Sequence, residues 1–434
     1  MKYKKLLKIT SKLKTFTEFS SKDKNKVYKN NLIIIRNMLK VNKNLIVKAI
    51  SKDVNKPKKD ALAEFKNSID VWNFVINNFR YIKRIKKFTF KNGDTGIIKY
   101  EPIGLVGFIT PWNYPLLTLS ERLPFCIASG CPAIIKPSEF TPTFSKILQK
   151  IISSRSNLIK SINILKDLKS KTGSLLCRDP NISLISFVGS TLTGKKILNQ
   201  CSPTLKKTNL ELGGKNSAII SKNVDFNYAI PKVIQGIFEN GGQACVAISR
   251  VIIHESIYQQ FITKIVFEIE KLVNLNKLKM QAPATKIQQK KTTLFLKYIK
   301  SNYSKNIIKI FNIGSKKYTP IFLKCNEKKN FYLRNEFFFP IITFEKFRNL
   351  KECKNIANES GYGLASYVFS TNKFEKKYLA NGLQSGRIWF NTSLQWSPKL
   401  PVGGYNLSGK GRDMGIEGFQ SYLTTKSLYV RKKW

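Results

Sequence analysis

A cysteine stands in FENGGQACVA, residues 238–247, just after Gly241 and Gly242. A thiol on a glycine turn can be exposed, and its thiolate attacks electrophilic carbon. Cys245 is equally open to reading as a small buried hydrophobe, the usual fate of a free cysteine. Glu211 lies 34 positions earlier, at the head of the turn ELGGK. It is a carboxylate able to accept a proton, or one that only caps the turn. Asn113, in TPWNYP (110–115), is an amide donor or a turn residue. Gly189 and Ser190 open GSTLTG (189–194), ahead of Lys195, Lys196 and an apolar helix. Glycines let backbone N–H groups approach a phosphate, and a helix N-terminus favours the anion. The full GxGxxG is absent, and a plain capping turn would look the same.

These turns need elements to hold them. Short apolar strands precede them: 104–110 (GLVGFIT), Ala133–Lys136, Ile182–Val188 and, after a Gly-Gly turn, Ala218–Ile220. Helical spacing marks Leu32–Leu39, Leu45–Ile50, Ala61–Phe79, Leu116–Ala128 and Thr143–Ile152. Strands alternating with helices imply βαβ units, a parallel sheet and an α/β fold. In such sheets ligands bind at the carboxyl ends of strands, which puts the site at 110–115, 136–139, 189–194 and 211–215. The alternation resumes from Val251 to Phe369. Phe88–Tyr100 brackets Asn92-Gly93-Asp94 and reads as a hairpin.

At 434 residues the chain has room for two or three domains, and its 42% hydrophobic share is ordinary. The charge is not: 76 Lys and Arg against 26 Asp and Glu give +50. That excess first suggests nucleic acid or an acidic membrane surface. The lysines are spread along the chain and accompanied by abundant Asn and Ile, which fits a chain-wide drift better than a binding footprint. Neither nucleic acid nor a membrane is therefore expected as a partner. Seven cysteines without CxxC spacing argue against zinc and disulfides, and for a reducing, cytoplasmic setting. A single histidine, His254, excludes His triads and multi-His metal sites, and no metal is expected. No apolar run reaches the ~18–20 residues of a membrane helix. Met1–Thr17 carries lysines and hydroxyls without acid and reads as a frayed basic arm rather than a targeting segment.

The motifs PWNYP, IKPSEFTP, SFVGSTLTGKK, LELGGKN, GGQACVAISR, NEFFFP (335–340), YGLASYVFS (362–370) and PVGGYNLSGKGRDMG (401–415) follow one another in this order. In order and spacing the chain resembles the aldehyde dehydrogenase superfamily from about residue 27 onward. EPIGLVGFITPWNYPLL and LPFCIASGCPAIIKPSEFTP look most like the broad branch acting on betaine aldehyde, aminoaldehydes and related small aldehydes.

The resemblance implies oxidation of an aldehyde to an acid with NAD. Cys245 would be the nucleophile, Glu211 the general base, and Asn113 with the Cys245 N–H the oxyanion donors. Lys136 and Glu139 would hold the adenosine ribose, Gly189 and Ser190 the pyrophosphate and Glu336 the nicotinamide ribose. Trp112 would pack beside the cofactor cleft, or simply in the core. The aldehyde entrance would lie near Tyr114, Leu117 and Ser393–Ser397. The implied fold is a Rossmann-like NAD-binding domain (1–86, 102–212 and 406–417), a catalytic αβ domain (213–405) and two β-arms (87–101 and 418–434). The hairpin and a final strand, Lys426–Lys432, lack an obvious partner within the chain, which suggests a homodimer or homotetramer. The chain departs from the family at Phe339, where a glycine is usual, in the acidic pair reduced to Asn335-Glu336, and in shortening between Lys271 and Lys317. Those departures bear on cofactor positioning and stability, and leave a retired enzyme kept as a scaffold as the rival reading.

Overall fold

The computed structural model describes residues 3–17, 24–79, 85–154, 160–278, 280–313, 317–325 and 335–432. Parallel strands, most of them apolar and buried, form where helices cover both faces. Five of them, Lys207–Glu211, Ile182–Val188, Leu105–Ile109, Ala133–Lys136 and Ile162–Ile164, lie side by side in that order. A short antiparallel strand, Gly409–Lys410, borders Lys207–Glu211. Ile109 pairs with both Lys136 and Phe187, so the turns that follow these strands emerge at one edge.

Side chains alternate across this sheet. Val106 and Phe108 pack with Trp72 and Phe125 beneath helices Lys24–Val41, Lys43–Val54, Lys58–Asn77 and Leu123–Ser129. Leu105 and Ile185 pack on the other face with Leu6, Leu176 and Ile197, from helices Tyr3–Lys14, Ser170–Arg178 and Thr191–Cys201. The single helix expected over Leu116–Ala128 is two, Leu117–Ser120 and Leu123–Ser129. Pro124 lacks an N–H and fits only a first turn, so the chain restarts there and turns Glu121 and Arg122 inward.

Residues 212–215 lead from Glu211 into Asn216–Ile220, a strand of a second sheet. Its order is Ile307–Ile310, Ile321–Lys324, Ile341–Phe347, Ile248–His254, Asn216–Ile220, Ala365–Phe369 and Arg387–Phe390, all parallel but the first. The expected hairpin forms from Ile85–Thr89 and Thr95–Pro102. The final strand runs Leu423–Val430 and is not unpartnered: it pairs antiparallel with Thr95–Pro102, Lys426 opposite Lys99. A pairing of segments this far apart leaves no local pattern to read. Among the described residues no helix is long and apolar enough to cross a membrane, and no group of His, Cys, Asp or Glu is arranged to hold a metal ion.

Candidate active site

The parallel strands of the first sheet, numbered along the chain, lie in the order 5-4-1-2-3, so the connections reverse direction between Leu105–Ile109 and Ile182–Val188. Such a switch point opens a crevice beyond the carboxyl ends. A cavity of about 270 Å³ lies there. Trp112 and Asn113 reach it from the turn after Leu105–Ile109, Gly189 and Ser190 from the turn after Ile182–Val188, and Glu211 from the end of Lys207–Glu211. The opposite wall comes from residues at the amino ends of the second sheet: Cys245 before Ile248–His254, Glu336 before Ile341–Phe347, Leu364 before Ala365–Phe369, and Arg387. The cavity thus collects Cys245, Glu211, Asn113, Gly189, Ser190, Trp112 and Glu336. Lys136 and Glu139 are not in its lining; they pair with each other at 2.9 Å beyond the adjacent strand.

Cys245 sits on a loop of left-handed residues, Asn240, Gly241 and Gly242, with φ of 49°, 65° and 75°. A Cβ on Gly242 would also meet Pro340 Cδ at 2.7 Å, so the sequence needs glycine there. The Asn216 amide donates to the Cys245 carbonyl at 2.8 Å, while among the described residues the Cys245 N–H has no acceptor. Cys245 is half-buried and opens on the cavity; the other six cysteines are buried. Burial pushes its thiol up to about 12; the Glu211 carboxylate pushes the same way and the Arg387 guanidinium opposes. Asn113 is buried and donates from Nδ2 to the Gln243 carbonyl at 3.0 Å, which ties the two loops together.

Glu211 is buried on a charged cluster that the sequence did not reveal. Arg122 Nη2 lies 3.4 Å from Glu211 Oε2 and 2.5 Å from Asp413 Oδ2, with Glu121 3.8 Å from Nη1. One fully buried cation serves three carboxylates. Burial raises the Asp413 carboxyl and Arg122 pulls it back. Glu211 Oε1 accepts no hydrogen bond from the described residues. A buried acceptor left open in a cavity wall is available to a proton donor inside it.

Glu336 accepts from the Gly214 N–H at 3.1 Å, and burial pushes its carboxyl up. A side chain on Gly213 would overlap that carboxylate. Ser190 caps helix Thr191–Cys201, accepting from the Thr193 N–H at 3.3 Å. Phe339 does not enter the cavity but packs in the core of the second sheet; its neighbour Phe338 lines the cavity, edge-on to Trp112 at 5.7 Å. Tyr114, Leu117, Leu394 and Trp396 form the far wall, with Glu239 taking the Tyr114 hydroxyl at 2.6 Å. Sequence reasoning missed Glu121, Arg122, Glu239, Arg387 and Asp413. Glu239 and Asp413 lay within recognisable motifs but were given no role there; nothing in the spacing marked the others.

The aldehyde dehydrogenase family model matches residues 13–428. An aldehyde dehydrogenase of Enchytraeus buchholzi is 34% identical over 343 residues, covering 77% of this chain and 68% of its own. Betaine aldehyde dehydrogenase 1 of Oryza sativa subsp. japonica is 31% identical over 346 residues, covering 78% and 68%. Among solved structures, an NAD-dependent aldehyde dehydrogenase from Sinorhizobium meliloti superimposes with a TM-score of 0.89 at 26% identity, over 99% of this chain and 87% of that one. A betaine aldehyde dehydrogenase point mutant from Staphylococcus aureus, solved in complex with NAD+, gives 0.87 at 25%, over 97% and 88%.

Proposed function

The chain belongs to the aldehyde dehydrogenase family, and from that premise we infer how its residues divide the work of oxidising an aldehyde with NAD. Cys245, its proton lost to solvent, adds as the thiolate to the aldehyde carbon, while Glu211 Oε1 stays an open acceptor in the cavity wall. The oxyanion that forms is held by the Asn113 amide and the unpaired Cys245 N–H, a contribution worth ~10²–10³ in rate per donor. NAD, when bound, supplies the hydride acceptor. Glu211 then deprotonates a water that hydrolyses the thioester, and a free acid leaves. The observation that carries this reading is the single cavity shared by Cys245, Glu211 and Asn113.

The residues suit a dinucleotide. Gly189 and Ser190 line the cavity and lead into an 11-residue helix, whose N-terminal end favours an anion. A Cβ on Gly189 would strike the Phe187 ring at 2.5 Å, so the turn is kept bare of side chain. These groups would take the pyrophosphate, Glu336 the nicotinamide ribose, and Lys136 with Glu139 the adenosine ribose. Glu139 would repel a 2′-phosphate, so NAD is preferred to NADP.

The NAD-binding domain takes in 1–86, 102–212 and 406–417, and the catalytic domain 213–405. Among the described residues the three-stranded sheet of Ile85–Thr89, Thr95–Pro102 and Leu423–Val430 has two unpaired edges, and Phe88, Tyr429 and Val430 are exposed. Pairing with a second copy, as a homodimer or homotetramer, would cover them. A free nucleophilic thiol suits a reducing, cytoplasmic compartment. Neither a retired scaffold nor a nucleic-acid-binding protein is favoured.

Rapid mixing of the Glu211→Gln variant with aldehyde and NAD tests the assignment. It should release one NADH per subunit and then stall as the thioester, while Cys245→Ala gives no burst. Steady turnover at the wild-type rate in either variant defeats it.

A further inference from the structure

The loop at Asn55–Pro57 joins helices Lys43–Val54 and Lys58–Asn77 at the edge of the first domain's core, and carries none of the residues assigned above. Asn55 is left-handed, with φ of 52°, and Pro57 begins the next helix. Between them Lys56 is turned inward and is 2% exposed. Its ammonium contacts Glu64 Oε2 at 2.6 Å, donates to the Asn113 carbonyl at 2.7 Å and lies 3.8 Å over the Tyr114 ring. Glu64 Oε1 accepts from the Leu116 N–H at 3.0 Å and the Leu117 N–H at 3.3 Å. The pair therefore grips residues 113–117 at both ends.

A buried ion pair is a weak source of stability, since desolvation consumes most of the attraction. Two apolar side chains could fill the same space, but would leave the buried Asn113 carbonyl only the Asn240 amide at 3.4 Å, and two N–H groups unsatisfied on the same turn. We propose that Lys56 and Glu64 are positioning residues that fix the Asn113 amide for the developing oxyanion. The proposal rests on the reading of Asn113 as the oxyanion donor. Misplacing such a donor by about 1 Å costs on the order of 10² in rate. The grip also reaches the aldehyde wall, because Tyr114 beneath the ammonium is the residue that binds Glu239.

The test compares Lys56→Met/Glu64→Gln, Asn113→Ala and the triple variant. In the first, the glutamine still accepts from Leu116 and Leu117 and no charge is left unpaired. Its kcat should fall between ten- and a hundredfold, with the KM for NAD and the alkylation rate of Cys245 unchanged. In the Asn113→Ala background the same two changes should lower kcat less than twofold, because the group they position is gone. Wild-type kcat in the Lys56→Met/Glu64→Gln variant, or a fall of equal size on top of Asn113→Ala, overturns the proposal. Normal turnover by Asn113→Ala alone overturns the oxyanion role, and this proposal with it. If the double variant does not fold, Lys56→Arg keeps the ion pair but redirects the donors. It should lose at least tenfold in kcat with its melting temperature held, and undiminished kcat there refutes the positioning role.

Discussion

The reactivity of Cys245 gives the sharpest check on the site. Its thiol is pushed up to about 12, first by burial, then by Glu211, against Arg387. At pH 8 that leaves about one thiol in 10⁴ ionised, against roughly one in four for an ordinary cysteine of pKa about 8.5. A more basic thiolate is a better nucleophile, with a Brønsted coefficient of about 0.4–0.5, so some 3.5 pH units return roughly 10^1.5 of the loss. The net expectation is reaction with an aromatic disulfide about 10²-fold slower than a free thiol. The other six cysteines are buried, so loss of turnover reports on Cys245 alone. The rate should rise about tenfold per pH unit from pH 7 to 10 without levelling. Glu211→Gln removes a negative charge that disfavours the thiolate, so its profile moves to lower pH and it reacts faster at pH 8. Arg387→Met removes the opposing positive charge, and its profile moves to higher pH. A wild-type plateau below pH 9, or both variants shifting the same way, would refute the electrostatic reading.

Arg122→Met strands Glu211, Glu121 and Asp413 without their shared cation, and urea titration should show a loss of about 3–5 kcal/mol. The stranded carboxyls then bind more protons folded than unfolded, so stability should fall as pH rises above the ordinary carboxylate range; a variant that stabilises with rising pH contradicts this. Phe339→Ala empties a core position and should cost about 3–5 kcal/mol by the same titration, with less than a twofold change in the KM for NAD; a larger change would return Phe339 to the cofactor cleft. Light scattering at moderate salt should give at least twice the 49.7 kDa of one chain, and an active monomer would remove the role given to the open sheet edges.

Three strands of the first sheet were legible because they are short, apolar and closed by glycine or proline: Leu105–Ile109, Ala133–Lys136 and Ile182–Val188 run much as the sequence suggests, while Ile162–Ile164 carries no such mark. The same punctuation exposed the site turns, and motif order supplied their roles. What stayed hidden was long-range. Arg122 lies in an apolar stretch with no signal of its own, yet meets Asp413 from near the other end of the chain. The rule of carboxyl ends located Asn113, Ser190 and Glu211 but not Cys245, which comes from the amino end of a strand in the facing sheet. Phe339 looked disruptive because a glycine is usual there, but adjacent residues along a backbone face different ways, and it is Phe338 that lines the cavity while Phe339 packs in the core.

The three-stranded sheet has a consequence for biogenesis. Lys426 bonds Glu101 across 325 positions of chain. On a ribosome working at about 5–20 residues per second, the hairpin emerges and then waits on the order of 16–65 s for its third strand. Through that interval the outer side of Thr95–Pro102 offers unpaired backbone groups to any neighbouring nascent chain. Slowing elongation late in the message should therefore raise aggregation without changing a single residue of the finished protein.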